Sequence, residues 1–319
     1  MPLLSARNLT LDYPSRQGVI RVLDGISFEL EKGQTLGLVG ESGSGKSQTA
    51  LALMGLLPAG AQLTGSLNFD GIDLLNLGAK DWLKLRGSRI AMIFQDPMSS
   101  LNPHLSIGTQ LSEVLVQHRG ASWAVARAES QRMLEAVKVG DAARRLAQYP
   151  HEFSGGMRQR VMIAMMLLAR PSLLIADEPT TALDVTVQAR ILLLLAELKV
   201  EMGLTLLFIS HDLGVISEVA DRVLVLYGGR VMEAGPSAEL LAAPQHPYTR
   251  GLLACRPTLQ GTGTSGPLPT IAGAPRQAGP PDSGCPFALR CAQVLPVCAT
   301  QTPAWRDTAA NRGRACHLL

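Results

Sequence analysis

Aromatic residues are scarce in this chain, at 4% of 319 positions, and charge is modest, at 17% with a net +3 at neutral pH. The chain is nevertheless 46% hydrophobic, too apolar for disorder, so it folds. No basic block marks a nucleic-acid footprint, so no nucleic-acid partner is expected. The longest apolar runs, "VMIAMMLLA" and "ILLLLA", fall far short of the ~18–20 residues of a membrane-spanning helix. The N-terminus "MPLLSARNLTLDYP" lacks a charged segment followed by an apolar one, which excludes a signal peptide. These absences predict a soluble, cytoplasmic chain built as one large domain with an appendage, or as two domains. Cysteine is also rare until the end. Four of the five fall within 32 residues, at Cys285, Cys291, Cys298 and Cys316. Disulfides are disfavoured in the cytoplasm, so these residues read as metal ligands or free thiols.

What is present has an order. Residues 3–13 and 19–30 alternate apolar and polar positions and predict strands. "TLGLVG" (35–40) predicts a buried strand entering a Gly-rich loop, with a helix after it, and "SRIAMIFQ" (88–95) predicts another strand. From about 104 to 170 the period is helical. "SLLIAD", "TLLFIS" and "RVLVLY" then predict buried strands, the first two separated by an amphipathic helix over 185–203. Buried runs alternating with helices imply an α/β fold with parallel strands and ligands at their C-terminal ends. Residues 256–284 are rich in Pro, Gly, Thr and Ser and read as a linker.

"GESGSGKS" (40–47) matches G-x-x-x-x-G-K-[ST] between a predicted strand and a predicted helix. Gly40, Gly43 and Gly45 let backbone N–H groups turn inward around phosphates, and the helix N-terminus adds partial positive charge. Lys46 reaches the β- and γ-phosphates and the Ser47 hydroxyl ligates Mg²⁺; Ser42, Ser44 and Gln48 complete the candidate set. "LLIADE" (173–178) ends a buried strand in two acids, placing Asp177 for Mg²⁺ and Glu178 as general base. "HEFSGGMRQR" (151–160) sets Ser154, Gly155 and Gly156 before a helix, as a simple cap or as an anion site.

The combination resembles the ATPase subunit of ABC transporters over nearly the whole chain. Phosphate loop, "FSGGM", "LLIADE" and the histidine of "ISHD" come in that family's order. The resemblance implies a P-loop (RecA-like) α/β core, an antiparallel β subdomain, a helical subdomain and a small cysteine-containing C-terminal extension. It implies head-to-tail pairs, in which Ser154, Gly155 and Gly156 bind the γ-phosphate held by a partner chain. That is an electrostatic clamp supplied in trans. It gives Tyr13 to adenine stacking, Gln95 to Mg²⁺ and the attacking water, Asp184 to the dimer interface and His211 to the γ-phosphate. Met157 stands where many members have glutamine, and Gln48 where threonine is common.

"GESGSGKSQTALALMGLLP", "FQDPMSSLNP", "ADEPTTALDVTVQ" and "HPYTRGLL" are most similar to the ATPases of oligopeptide, dipeptide and nickel importers. The implied partners are a second related ATPase, two integral membrane permease subunits and, through the complex, an extracytoplasmic solute-binding protein. The chain would lie on the cytoplasmic face of the inner membrane. Residues 1–255 form the nucleotide-binding domain, with the helical subdomain at about 96–170; 256–284 form the linker and 285–319 a metal-binding region.

The same ATPase role for nickel, glutathione or another small solute is the alternative. A soluble ABC ATPase acting on nucleic acid or ribosomes is the reading from a different class, and it would typically bring coiled-coil insertions or a second phosphate loop. The x5, x6, x17 cysteine spacing lacks the close pairs of structural zinc. Buried reduced thiols are one reading of it. The resemblance implies a [4Fe–4S] cluster, with Zn²⁺ as the alternative metal; nothing in the sequence places it near the nucleotide, so it reads as structural or regulatory.

Overall fold

Alternation over the first thirty residues becomes β1 (Leu4–Ser15) and β2 (Gly18–Leu30), paired antiparallel with Leu4 opposite Leu30 and Tyr13 opposite Ile20. Leu4, Ala6, Leu9 and Leu11 turn to the buried side, as a period of two requires. The computed structural model describes residues 1–16, 18–95, 100–180, 183–255, 270–281 and 283–318. Of the proposed linker, 256–269 and Asp282 lie outside the described residues, as do 96–99 of the proposed helical subdomain.

The chain divides into two units. The first comprises 1–31, 35–75 and 209–319. It holds an antiparallel sheet in the order β2-β1-β4-β5, with β4 at Gln62–Phe69 and β5 at Ile72–Asp73. β3 (Thr35–Val39), every residue buried, runs parallel to β9 (Arg222–Tyr227). β10 (Arg230–Pro236) turns back antiparallel through Gly228 and Gly229, both at positive φ. A Cβ on Gly229 would lie 2.3 Å from the Val22 carbonyl oxygen, so only glycine fits there. The sequence end joins the same sheet: β12 (Arg312–Ala315) pairs antiparallel with β10, and β11 (Trp305–Ala309) with β12.

The second unit comprises 32–34 and 76–208. β6 (Ile90–Ile93) and β7 (Leu173–Asp177) are parallel and wholly buried, with β8 (Thr205–Ser210) beside β7. Buried apolar runs lacking alternation are what a parallel sheet covered on both faces demands. Helices Ile107–Arg119, Trp123–Ala136 and Gly155–Leu168 pack on one another, and Val185–Met202 follows β7. The mixed α/β class expected from the sequence is the one observed. Among the described residues no helix is long and apolar enough to cross a membrane.

Candidate functional site

In the first unit, the glycine-rich loop leaves β3 and enters the helix Lys46–Leu53. A Cβ at Gly40 would lie 2.2 Å from the Leu226 carbonyl oxygen, and Gly45 sits at φ 105° with Leu23 2.7 Å from its missing Cβ. The sequence therefore spends glycine where the backbone passes other atoms too closely for any side chain. Lys46 is buried, and its Nζ donates to the carbonyl oxygens of Gly40 at 2.7 Å and Glu41 at 3.0 Å. The Ser44 hydroxyl is buried with no hydrogen-bond partner among the described residues. An unfilled donor inside a ring of inward-turned backbone fits an anionic ligand. Ser42, Gly43 and Ser47 are exposed at the loop's surface.

Tyr13 and Gln48 come together: the Tyr13 hydroxyl donates to Gln48 Oε1 at 2.6 Å. Partial burial raises the Tyr13 pKa, so the phenol stays protonated as donor. Gln48, where threonine is common, thus fixes the ring assigned to adenine. His211 follows β8 and is exposed.

In the second unit, Gln95 Nε2 donates to Glu178 Oε2 at 3.1 Å, which aims the carboxylate assigned as general base. Glu178 follows β7 at φ 48°, a left-handed conformation that costs on the order of 1–3 kcal/mol for a non-glycine residue and recurs at functional sites. Asp177 is buried at the strand end. Ser154 and Asp184 are both N-caps: Ser154 Oγ accepts from Met157 N–H at 3.4 Å, and Asp184 Oδ1 from Val187 N–H at 2.9 Å. Both side chains are exposed. Nothing lies within 4 Å of a Cβ on Gly155, whereas one on Gly156 would meet Val187 Cγ1 at 2.8 Å. Gly156 is therefore explained by the close approach of the helix Val185–Met202, independently of any ligand.

Sequence reasoning missed Gln159, which is buried and donates from its amide to the Pro179 carbonyl, tying the signature helix to the turn after Glu178. It also missed three residues that hold the phosphate loop. Glu41 forms a two-pronged ion pair with Arg290, at 2.5 and 3.1 Å, and its backbone N–H donates to the hydroxyl of buried Tyr248 at 2.9 Å. Burial raises the Tyr248 pKa and the Glu41 partner raises that of Arg290, so neither loses its proton. Nothing in the sequence placed the C-terminal region near the nucleotide loop, and Arg290 brings it there. Only the Gly-rich loop itself had a local signal.

The expected metal site at Cys285, Cys291, Cys298 and Cys316 is also corrected. Among the described residues, no group of three or more His, Cys, Asp or Glu side chains is placed to hold a metal ion, and all five thiols are free. Burial pushes Cys285 up to about 11, and the neighbouring thiols of Cys298, Cys316 and Cys291 add to the rise; burial raises Cys291 as well. Cys298 and Cys316 are buried and Cys285 and Cys291 half-buried, all as free thiols, and neither the iron–sulfur cluster nor zinc is retained.

A family model for ABC transporters matches residues 23–181, and one for the oligopeptide/dipeptide transporter C-terminal region matches residues 232–298. The oligopeptide transport ATP-binding protein OppD of Salmonella typhimurium is 50% identical over 314 residues, spanning 98% of this chain and 93% of that one. The chain belongs to the ABC transporter ATP-binding family. The dipeptide transport ATP-binding protein DppD of Bacillus subtilis is 48% identical over 297 residues, 92% of this chain and 88% of that one. The ATP-binding cassette MJ0796, solved as a dimer in a post-hydrolysis state with ADP and Pi, is 28% identical with a TM-score of 0.65. It is matched over 73% of this chain and 98% of its own. As a member of this family, the chain is the ATP-hydrolysing subunit of a transporter.

Proposed function

We propose that this chain powers the import of oligopeptides or dipeptides, paired with a second, related ATPase beneath two membrane permease subunits and fed by an extracytoplasmic solute-binding protein. It would act at the cytoplasmic face of the membrane, held there by the permeases. The observation that carries this reading is the extent of the likeness. It runs past the ATPase core model at 23–181 into residues 232–298, the part matched by the oligopeptide/dipeptide transporter model. In this reading residues 1–255 bind nucleotide, 256–284 link, and 285–319 form a C-terminal extension.

Roles are proposed on the same basis. Residues 40–47 take the phosphates, Tyr13 the adenine, and Ser154, Gly155 and Gly156 the γ-phosphate of a nucleotide held by the partner. Asp184 would face that interface and His211 the γ-phosphate. Ser47, Gln95 and Asp177 offer oxygen donors, the chemistry Mg²⁺ selects; the ion would neutralise charge on the β- and γ-phosphates. Gln95 supports the base role of Glu178 by fixing its carboxylate at 3.1 Å, ready to accept a proton from water. Once the γ-phosphate leaves, Ser154 and His211 lose their ligand and the pair loosens.

Glu178→Gln tests the chemistry. Turnover in the assembled importer should fall by about 10²–10⁴-fold, the range of a lost general base, while ATP binding persists. A near-normal rate would remove Glu178 from that role. Purification of the assembled complex should recover permease subunits; recovery of ribosomes or DNA would overturn the transport reading.

A further inference from the structure

The phosphate loop is braced from far along the chain. The Arg290 side chain is 5% exposed, and its guanidinium has several partners. Two prongs reach the Glu41 carboxylate, Nε donates to the Ala272 carbonyl at 2.9 Å, and Nη2 donates to the Ile271 carbonyl at 3.2 Å. Nη1 also lies 3.3 Å from the Tyr227 hydroxyl. Tyr248, whose hydroxyl takes the Glu41 N–H, packs against Tyr227 and Phe287 with ring centroids 4.7 and 5.2 Å apart. A Cβ on Gly43 would come within 4.0 Å of Gln277 and Arg276, so this stretch passes over the loop's outer side. Glu41 is thus gripped by side chain and by backbone N–H from outside the motif. Its carbonyl meanwhile accepts from Lys46 Nζ at 3.0 Å.

We propose that Arg290 is a positioning residue of the ATP site, holding Glu41 and neutralising a carboxylate that would otherwise stand bare inside a loop that receives a polyanion. The reasoning is electrostatic and geometric. A phosphate chain arriving at Lys46 competes with the Gly40 and Glu41 carbonyls for the ammonium. Fixing Glu41 from both sides lets Lys46 turn to phosphate without the loop following it, so less ordering remains to be done on binding. A planar guanidinium gripping a carboxylate through two bonds suits this, because it fixes orientation as well as charge. Residues 271–290 therefore form a working wall of the nucleotide site, supplied by the C-terminal region.

The inference rests on residues 40–47 being the ATP site, and its test separates the two. ATP affinity is measured by titrating the full-length chain, with Tm recorded for each variant. Arg290→Ala should weaken ATP binding about tenfold, and Arg290→Lys less, because the ammonium keeps charge but loses the fork. Adding Glu41→Gln to Arg290→Ala should bring affinity back to within about threefold of the parent, since the bare carboxylate is gone; the recorded Tm separates recovered affinity from recovered stability, because affinity follows the charge opposing the nucleotide even where Tm does not change. If Arg290→Ala does not fold, Arg290→Gln carries the same comparison. Unchanged affinity in a stably folded Arg290 variant, or a double variant no better than the single, would overturn the proposal. Lys46→Ala is measured alongside. Its loss of ATP binding with no effect in the Arg290 variants refutes the role of Arg290 alone, whereas normal binding in Lys46→Ala refutes the ATP site and the positioning role together.

Discussion

The phosphate loop and the signature segment are both Gly-containing turns that open a helix, yet they are held differently. The phosphate loop is fixed by partners 207 and 249 positions away, Tyr248 and Arg290. The signature segment is fixed by its own neighbours: Ser154 caps at i+3, and the Gln159 amide reaches the turn 20 positions on. A loop held from afar keeps one shape whatever its local sequence prefers. A serine engaged through a long cap bond keeps its hydroxyl exposed. That contrast matches the roles proposed for them, since one cradles nucleotide and the other is offered to a partner's nucleotide.

The far-reaching side of this contrast breaks most strongly at Arg312. Glu233 on β10 is fully buried; it accepts backbone N–H groups of Gln245 and His246 and pairs with Arg312 of β12 at 3.4 Å. Arg312 is itself 8% exposed, so Arg312→Ala leaves a buried carboxylate without its cation and should destabilise the chain by about 3–5 kcal/mol. Pairing Arg312→Met with Glu233→Gln, which removes both charges and keeps an amide oxygen for the Gln245 and His246 N–H groups, should cost much less. Denaturant unfolding of the three variants is the measurement, and equal losses in single and double variants would show that the ion pair matters little.

How much of this the sequence disclosed follows from distance along the chain. The strand–loop–helix around Lys46, the buried run ending at Asp177 and Glu178, and the helix starts at Ser154 and Asp184 are local patterns of period and composition, and each lies where it was expected. The ion pairs Glu41–Arg290 and Glu233–Arg312 have no such pattern. An arginine in the cysteine-containing tail looks the same whether it ends in solvent or against a phosphate loop. The four cysteines show the reverse error. Spacing registered their proximity, but ligation depends on side-chain placement, and among the described residues no group of three or more is placed to hold a metal ion.

A smaller break is available through pH. His246 is buried beside Glu233's backbone contacts, and its Nδ1 accepts from Tyr248 N–H at 3.0 Å. Burial, followed by the nearby Arg314 and Arg250 charges, lowers its pKa from 6.5 to about 4, against a weak upward pull from the Ala315 backbone. Above pH 6.5 the ring is neutral whether the chain is folded or not, and its contribution is fully present. Below that, the unfolded chain takes up a proton that the folded chain refuses until about pH 4, so stability falls across this window by at most roughly 3 kcal/mol. His246→Asn, which keeps a capping acceptor, should flatten that part of the stability–pH curve. An unchanged slope would show that another group carries it.

The local side of the contrast breaks most gently, and the substitution can be chosen so that capping and phosphate binding pull in opposite directions. Ser154 caps through a 3.4 Å bond, so Ser154→Ala should cost no more than about 1 kcal/mol of stability. Asp184→Ala, losing a 2.9 Å cap, should cost about the same or slightly more. Ser154→Asp is the decisive variant. Aspartate is at least as good an N-cap as serine and adds a charge that the helix N-terminus favours, so Tm should hold or rise. If Ser154 acts only as a cap, turnover of the assembled importer holds with it. If Ser154 faces the γ-phosphate across the ATPase pair, the same carboxylate opposes a polyanion, and turnover collapses in a protein of undiminished stability.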